Sequence, residues 1–208
     1  SVTGDDYVGG LIGFAYRATI SNSNATGSVT GDDYVGGLVG FGRDATISDS
    51  FATGSVTGED DVGGLVGYAD GAIISDSFAT GSVTGDRWGV GGLAGDGDDA
   101  IITNSYATGS VTGEDDVGGL LGTGYGAIIS DSFATGSVTG DRGIGGLVGL
   151  GEGVNISASF SSGNVTGDRY VGGLLGEADS DTLAISDSYS TGSVTGVDYV
   201  GGLIGFGG

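Results

Sequence analysis

Short blocks of Val, Ile, Leu and Thr alternate with Gly and Asp along the whole chain. The tetrapeptide Ser-Val-Thr-Gly recurs every 27 to 29 residues, and a Val-Gly-Gly-Leu block, headed by Ile144 in one copy, follows each tetrapeptide or its variant. The copies begin at Ser1, Ser28, Ser55, Ser82, Ser110, Ser137 and Ser193, and Asn164 opens a variant. No apolar period of 3.6 residues runs far enough for a helix, whereas short Val, Ile and Thr runs bounded by Gly and Asp are typical of strands.

Each repeat predicts about three short strands: one near Val-Gly-Gly-Leu-Val-Gly, one near Ala-Thr-Ile-Ser, and one through Phe-Ala-Thr-Gly-Ser-Val-Thr. A unit this short cannot bury its apolar side alone, so the copies must stack. Parallel crossovers are almost always right-handed. We therefore expect an all-β, right-handed parallel β-solenoid with about 27 residues per coil. Seven full coils and a partial eighth would form a single domain over residues 1–208.

The alternation of side chains predicts which positions face the core. Along residues 50–57, the even-numbered positions are expected inside and the odd-numbered ones outside. Val35 and Leu38 can both point inward only if the chain bends at the two glycines between them. The position after Leu38 varies between copies, so we expect it to be loosely packed or partly exposed. Extra residues around Trp88 and between Gly176 and Ala184 predict surface turns.

Composition narrows the chemistry. The 208 residues include 50 Gly and 27 carboxylates against five Arg, with no Lys, His, Cys, Pro or Met, and the net charge is −22. Imidazole bases, thiolate nucleophiles, Cys/His zinc sites and lysine Schiff bases are therefore excluded. Such a charge repels nucleic acid and anionic membranes. No apolar run approaches the ~20 residues of a membrane span, so we expect no membrane insertion.

The recurring Val-Gly-Gly-Leu-Val-Gly block followed by Ile-Ser-Asp-Ser-Phe-Ala-Thr-Gly-Ser-Val-Thr-Gly resembles the GLUG-motif repeats. Those repeats occur in bacterial extracellular and surface proteins and in non-catalytic parts of some immunoglobulin-A-cleaving metallopeptidases. The resemblance covers nearly the whole chain and implies a β-solenoid at an extracellular or cell-surface location, with no catalytic residue. Paired carboxylates can hydrolyse glycosides, but a catalytic pair is unique, whereas these acids recur in almost every coil. We expect no enzyme.

Carboxylates gather just after the Ser-Val-Thr-Gly blocks and would form an acidic corner if the coils stack in register. Ca²⁺ takes six to eight oxygen ligands and favours carboxylates, which makes it the candidate cofactor. The alternative is a solvated turn whose charge prevents aggregation. The candidate calcium ligands are Asp32, Asp33, Glu59, Asp60, Asp61, Glu114, Asp115 and Asp116.

A hydroxyl face is predicted on the outside of the third strand, where Thr, Ser and Thr alternate. Its members are Thr26, Ser28, Thr30, Thr53, Ser55, Thr57, Thr80, Ser82, Thr84, Thr108, Ser110, Thr112, Thr135, Ser137 and Thr139. Stacking would turn these rows into a two-dimensional lattice that resembles the Thr arrays of antifreeze solenoids. The alternative is that β-branched Thr simply suits an exposed strand.

An aromatic ladder is also predicted along one corner, and it could either stack on sugar rings or only pack against itself. It comprises Phe51, Phe78, Tyr106, Phe133, Phe160 and Tyr189.

Two functions remain open from the sequence. The first is a non-enzymatic extracellular structural or adhesive module, the rod of a bacterial surface fibre or adhesin, whose surface ligand is a glycan or a protein. The second is an ice-binding protein that uses the hydroxyl face. Because the repeat runs to both termini, we also expect end-to-end association of copies or a longer parent chain.

Overall fold

A computed structural model describes residues 1–178 and 182–208, and in this part of the chain all regular structure is β-strand. The strands form five parallel sheets, which we number 1 to 5 in the order in which the chain enters them within one coil. The fold is therefore the predicted parallel β-solenoid. Within the described ranges, no helix is long and apolar enough to cross a membrane.

Sheet 1 consists of Val2–Thr3, Val29–Thr30, Val56–Gly58, Val83–Gly85, Val111–Thr112, Val138–Thr139, Val165–Thr166 and Val194–Thr195. Sheet 2 consists of Val8–Gly9, Asp33–Gly36, Asp60–Gly63, Val90–Gly91, Asp115–Gly118, Arg142–Gly145, Arg169–Gly172 and Asp198–Gly201. Sheet 3 consists of Ile12–Tyr16, Val39–Arg43, Val66–Asp70, Ala94–Asp96, Leu121–Tyr125, Val148–Glu152, Leu175–Ala178 and Ile204–Gly207. Sheet 4 consists of Thr19–Ser21, Thr46–Ser48, Ile73–Ser75, Ile101–Thr103, Ile128–Ser130, Asn155–Ser157 and Ala184–Ser186. Sheet 5 consists of Asn24–Ala25, Phe51–Ala52, Phe78–Ala79, Tyr106–Ala107, Phe133–Ala134, Phe160–Ser161 and Tyr189–Ser190.

Equivalent residues of successive repeats stack directly on one another. Val56 pairs with Val29 on one side and with Val83 on the other. The backbone N–H groups continue the ladder between coils, as where Val56 donates to the carbonyl of Ser82 at 3.0 Å. One repeat therefore forms one coil, and every position of the repeat becomes a column that runs along the rod.

Bends divide two of the three predicted strand regions. The first bend, at Gly37 and Leu38, separates sheet 2 from sheet 3. The second, at Gly54, separates sheet 5 from sheet 1. Alternation along residues 50–57 is otherwise as predicted, with Ala52 and Val56 buried, but Gly54 is half-buried because it occupies the bend. The exposed turn around Trp88 is also confirmed, whereas the turn predicted between residues 176 and 184 includes residues 179–181, outside the described ranges.

The coil encloses two apolar cores. A valine core between sheets 1 and 2 contains Val29, Val35 and Val56, and a larger core behind sheets 3, 4 and 5 contains Leu38 and Val39. Val35 and Leu38 both point inward, as predicted. The partial exposure expected at the position after Leu38 was wrong for the inner coils, because Val39 is fully buried, whereas Ile12 and Ile204 in the terminal coils are only partly buried. The bend at Gly37 and Leu38 turns the side chains of Leu38 and Val39 into the larger core, although the two residues are neighbours in the chain.

Glycine lets the backbones of sheets 2 and 3 touch. A Cβ on Gly36 would lie 1.8 Å from the carbonyl oxygen of Val39, and one on Gly40 would lie 2.6 Å from backbone atoms of Tyr7 and Gly13. Side chains are therefore excluded from this contact. Because the two sheets meet here, the side chains just beyond the contact come face to face and line a groove along the rod.

Candidate functional site

The predicted hydroxyl face lies on the surface. All fifteen of its Thr and Ser residues are exposed. Thr30, Thr57 and Thr84 stack in register in sheet 1. The bend at Gly54 places the preceding Thr53 outside that sheet, so the face consists of two strips that meet at an angle rather than one continuous strand surface.

The acidic corner separates into two groups in the structure. Asp33 stacks on Asp60 at the surface of sheet 2, and Arg87 lies 3.3 Å from Asp60 and 3.5 Å from Glu59. Burial, followed by the charge of Asp60, raises the pKa of Asp33. Two coils further along, Arg142 occupies the position next to Asp115. Among the residues that the structure describes, no three acids converge as metal ligands, so Ca²⁺ at this corner stays a prediction.

Asp61 and Asp116 point away from the rest of the corner. Both have a left-handed backbone, with φ of 51° and 54°, which turns their side chains toward the groove between sheets 2 and 3. Each carboxylate lies over a glycine of the next coil. A Cβ on Gly89 would be 2.5 Å from Oδ1 of Asp61, and one on Gly143 would be equally close to Oδ1 of Asp116. Burial, followed by the charge of the preceding Asp in each case, raises the pKa of both groups to about 7.

The groove is lined by two facing columns, one from each sheet. The column of sheet 2 is Tyr7, Tyr34, Asp61, Gly89, Asp116, Gly143, Tyr170 and Tyr199. The column of sheet 3 is Phe14, Phe41, Tyr68, Asp96, Thr123, Leu150, Glu177 and Phe206. Aromatic rings fill both ends of the groove. In the first coils, for example, the ring centroids of Tyr34 and Phe41 are 5.7 Å apart.

The middle of the groove is a pocket, because there the aromatic residues give way to small and acidic ones. This mid-rod pocket has a volume of about 390 Å³. It is lined by Asp61, Trp88, Asp96, Asp116, Thr123 and Tyr125. Asp61 and Asp116 were predicted in the acidic corner and Trp88 only as part of an inserted turn, whereas Asp96, Thr123 and Tyr125 were not predicted. The signal available in the sequence was that the middle repeats have small or acidic residues at the two column positions where the first repeats have aromatic ones.

A second cavity, of about 590 Å³, adjoins the pocket and shares Tyr125 with it. Asp98 lines this cavity, and the hydroxyl of Tyr68 donates a hydrogen bond of 2.7 Å to its Oδ2. Oδ1 of Asp98 and Oδ1 of Asp96 are both enclosed, and neither accepts a hydrogen bond from a described residue. Burial, followed by the charges of Asp61 and Asp98, raises the pKa of Asp96 to about 8. One oxygen of each of these two carboxylates is therefore enclosed without a donor from the described residues.

The predicted aromatic ladder packs against itself. Its rings stack with centroids 4.9 to 5.2 Å apart and nearly parallel planes. Both faces of each inner ring are therefore covered by its two neighbours, and only the ring edge is left to solvent. This arrangement favours packing over sugar stacking, which needs a free ring face.

A comparison with protein families identifies the repeat. The family model of the GLUG motif matches residues 4–30, 31–57, 59–84, 86–112 and 114–139, which is well over half of the chain. The chain belongs to the GLUG-motif family. Its GLUG repeats correspond to the coils of the solenoid, since each matched segment runs from sheet 2 of one coil to sheet 1 of the next. No curated protein and no solved structure matches the chain.

Proposed function

We propose that this GLUG-repeat solenoid is a non-enzymatic extracellular module, the structural or adhesive rod of a bacterial surface fibre or adhesin. The observation that supports this proposal is the in-register stacking of five parallel sheets from the first coil to the last. Stacking repeats every surface column at each coil, which suits multivalent attachment and mechanical strength. A repeat fold of this kind is a structural module and is not typical of enzymes.

Adhesion under flow tests the proposal. Beads coated with the protein are passed over surfaces that carry different bacterial, plant and animal polysaccharides and proteins, and a chain of identical composition with scrambled repeats is the control. We expect retention on at least one surface at a shear that removes the control beads. The same proteins are then stretched singly between the termini. A rod should resist force, whereas the scrambled chain should extend freely. Failure in both assays would contradict the proposal.

Ice binding is the second candidate function, and the exposure of all fifteen hydroxyl-face residues favours it. Thr84 and Thr112 stack in register near the middle of sheet 1, so a bulky side chain at either position would interrupt the lattice. If the face binds ice, the wild type should show thermal hysteresis that Thr84→Tyr and Thr112→Tyr reduce, while Ile101→Tyr on sheet 4 should have no effect. Absence of hysteresis in the wild type would remove this candidate.

A further inference from the structure

Asparagine occupies five positions in the chain, and three of them depart from the repeat. Asn22 and Asn104 belong to a column of left-handed corner residues in which most other coils have Asp, so the repeat accounts for them. Asn24 stands in the column of the aromatic ladder, and Asn155 in a column of Thr, Ile and Ala. Asn164 replaces the Ser that opens the other copies of Ser-Val-Thr-Gly. These three changes therefore need another explanation.

Each of the three departures completes the same triplet, Asn-X-Ser/Thr, in which X is not Pro. The triplets are Asn24-Ala25-Thr26, Asn155-Ile156-Ser157 and Asn164-Val165-Thr166. The repeat supplies the hydroxyl residue, but it does not supply the asparagine. In the repeat 28–54, only six of the 27 positions have Ser or Thr two residues later, so three asparagines placed at random would seldom all complete the triplet. This triplet is the acceptor sequence for N-linked glycosylation.

The structure presents both groups of each triplet on the outside of the rod. All three asparagines are exposed, as are Thr26 and Thr166, and Ser157 is half-buried. Side chains two residues apart in a strand share a face, so the amide and the hydroxyl of each triplet lie on the same side. Each asparagine also follows a bend by one or two residues, which places it at the start of a strand rather than within one.

The amide nitrogens of the three asparagines are free to react. In the described ranges, no residue hydrogen-bonds to the side chain of Asn24 or Asn155. At Asn164, Oδ1 accepts hydrogen bonds from the backbone N–H of Ser193 at 3.3 Å and from its hydroxyl at 2.7 Å. A backbone N–H can only donate, so the oxygen faces Ser193 and Nδ2 is left without this contact. Attachment of a glycan to Nδ2 keeps the carbonyl and would therefore keep both bonds.

Two of the sites adjoin apolar columns that the rod leaves partly exposed. Asn24 pairs in register with Phe51, the first ring of the aromatic ladder. Asn155 pairs with Ile128, which is 44% exposed and stacks on the exposed Ile101. Exposed apolar patches promote association, and a bulky hydrophilic glycan beside them would hold other molecules away. The positions therefore suit a modification that keeps the sides of neighbouring rods apart.

We propose that Asn24, Asn155 and Asn164 are N-glycosylation sites. The co-reactant is an oligosaccharide joined through a diphosphate to a polyprenyl lipid, and an oligosaccharyltransferase catalyses the transfer. Nδ2 of the asparagine attacks the anomeric carbon of the oligosaccharide, so that an N–C bond forms while the C–O bond to the diphosphate breaks. The lipid diphosphate leaves, and a base of the transferase takes one proton from the amide. The inference rests on the proposed extracellular function, since this modification belongs to exported proteins.

Transfer in vitro tests the sites independently of where the protein resides. The purified, folded chain is incubated with the lipid-linked oligosaccharide and an oligosaccharyltransferase that recognises the triplet alone, and peptide mapping by mass spectrometry locates the products. We expect glycan at Asn24, Asn155 and Asn164, and none at Asn22 and Asn104, which are exposed but lack the hydroxyl residue. Absence of transfer, transfer to the unfolded chain alone, or equal modification of the two control asparagines would overturn the assignment.

Single variants that keep the asparagine and remove its hydroxyl partner sharpen the test. Thr26→Val, Ser157→Ala and Thr166→Val should each eliminate the glycan of their own triplet and leave the other two in place. Circular dichroism confirms that each variant is folded. A glycan that persists at the altered triplet would contradict recognition through the triplet and overturn the proposal.

Peptide mapping of the protein isolated from the cells that produce it separates this inference from the proposed function. We expect a surface protein whose three triplets carry glycan. A surface protein with all three triplets unmodified would overturn the glycosylation sites and leave the proposed function standing. An unmodified protein inside the cell would contradict both.

Discussion

Replacing Asp96 by Asn should stabilise the protein at alkaline pH and leave its stability almost unchanged at acid pH. Burial, together with the charges of Asp61 and Asp98, raises the pKa of Asp96 to about 8. In an unfolded chain an aspartate titrates at about 3.9. Between these values the native state binds a proton that the unfolded state has lost. The free energy of unfolding therefore falls as pH rises from about 4 to about 8 and is level above that.

The magnitude follows from the two pKa values. Each pKa unit corresponds to about 1.4 kcal/mol, so the interval from about 3.9 to about 8 corresponds to ~6 kcal/mol. Part of this belongs to repulsion shared with Asp61 and Asp98, and partial exposure of Asp96 screens some of it. We therefore expect Asp96→Asn to raise the free energy of unfolding by about 2–3 kcal/mol at pH 8.5 and by less than about 0.5 kcal/mol at pH 4.5.

Urea unfolding at pH 4.5, 6.5 and 8.5 measures the effect, with the single tryptophan, Trp88, as a fluorescent probe beside the pocket. Asp131→Asn is the control, because it makes the same chemical change at an exposed site. Its effect should stay within a few tenths of a kcal/mol at every pH. A gain for Asp96→Asn that is the same at pH 4.5 and pH 8.5, or a loss at pH 8.5, would refute the reasoning.

Three further predictions concern the scaffold. Gly67→Ala should destabilise the protein by at least about 3 kcal/mol in urea unfolding, because its Cβ would lie 2.6 Å from backbone atoms, whereas Gly202→Ala, with open space around it, should cost little. Ser105→Ala should cost about 1–3 kcal/mol, since the buried Oγ accepts from Ser77 N and donates to Thr103 O, while the exposed Ser110→Ala should be neutral. Molar NaCl should raise the Tm by screening the net charge, and millimolar CaCl₂ should raise it beyond NaCl of matched ionic strength if the acidic corner binds Ca²⁺. Equal shifts would exclude specific calcium sites.

The repeat length and the apolar pattern were enough to predict the coil. A unit of 27 residues with inward Val35 and Leu38 can bury its core only by stacking, and the structure shows that stacking. The burial of Val39 could not be predicted from alternation, because it depends on where the backbone bends relative to Leu38. The variation in side-chain size at the position of Val39 reflects different packing in different coils and not exposure to solvent.

The pocket was harder to predict, because its residues belong to different sheets. Alignment of the repeats places Asp96 beneath Tyr68, but only the contact between sheets 2 and 3 brings that column opposite Asp61. This contact depends on glycines such as Gly40, which let two backbones approach closely. A glycine in the sequence does not indicate which segments come together there. Departures from the repeat can therefore be interpreted only when the register and the cross-section of the coil are known.

The buried acids of the pocket also have a cost. Asp61, Asp96 and Asp116 destabilise the folded chain near neutral pH, since burial raises the pKa of each. Residues that weaken a fold in this way are common at functional sites. Asp96→Asn should accordingly be more stable than the wild type.

Deletion of one repeat tests most directly the claim that each repeat forms one coil of an in-register rod. Removal of residues 28–54 joins Gly27 to Ser55 and restores the repeat, and it leaves the mid-rod pocket intact. We expect a cooperative β-rich melt by circular dichroism, with a Tm within about 5 °C of the wild type. Removal of residues 28–41 should instead abolish the cooperative transition, because half a coil puts every later column out of register. Similar behaviour of the two deletions, or loss of folding when the whole repeat is removed, would contradict the account.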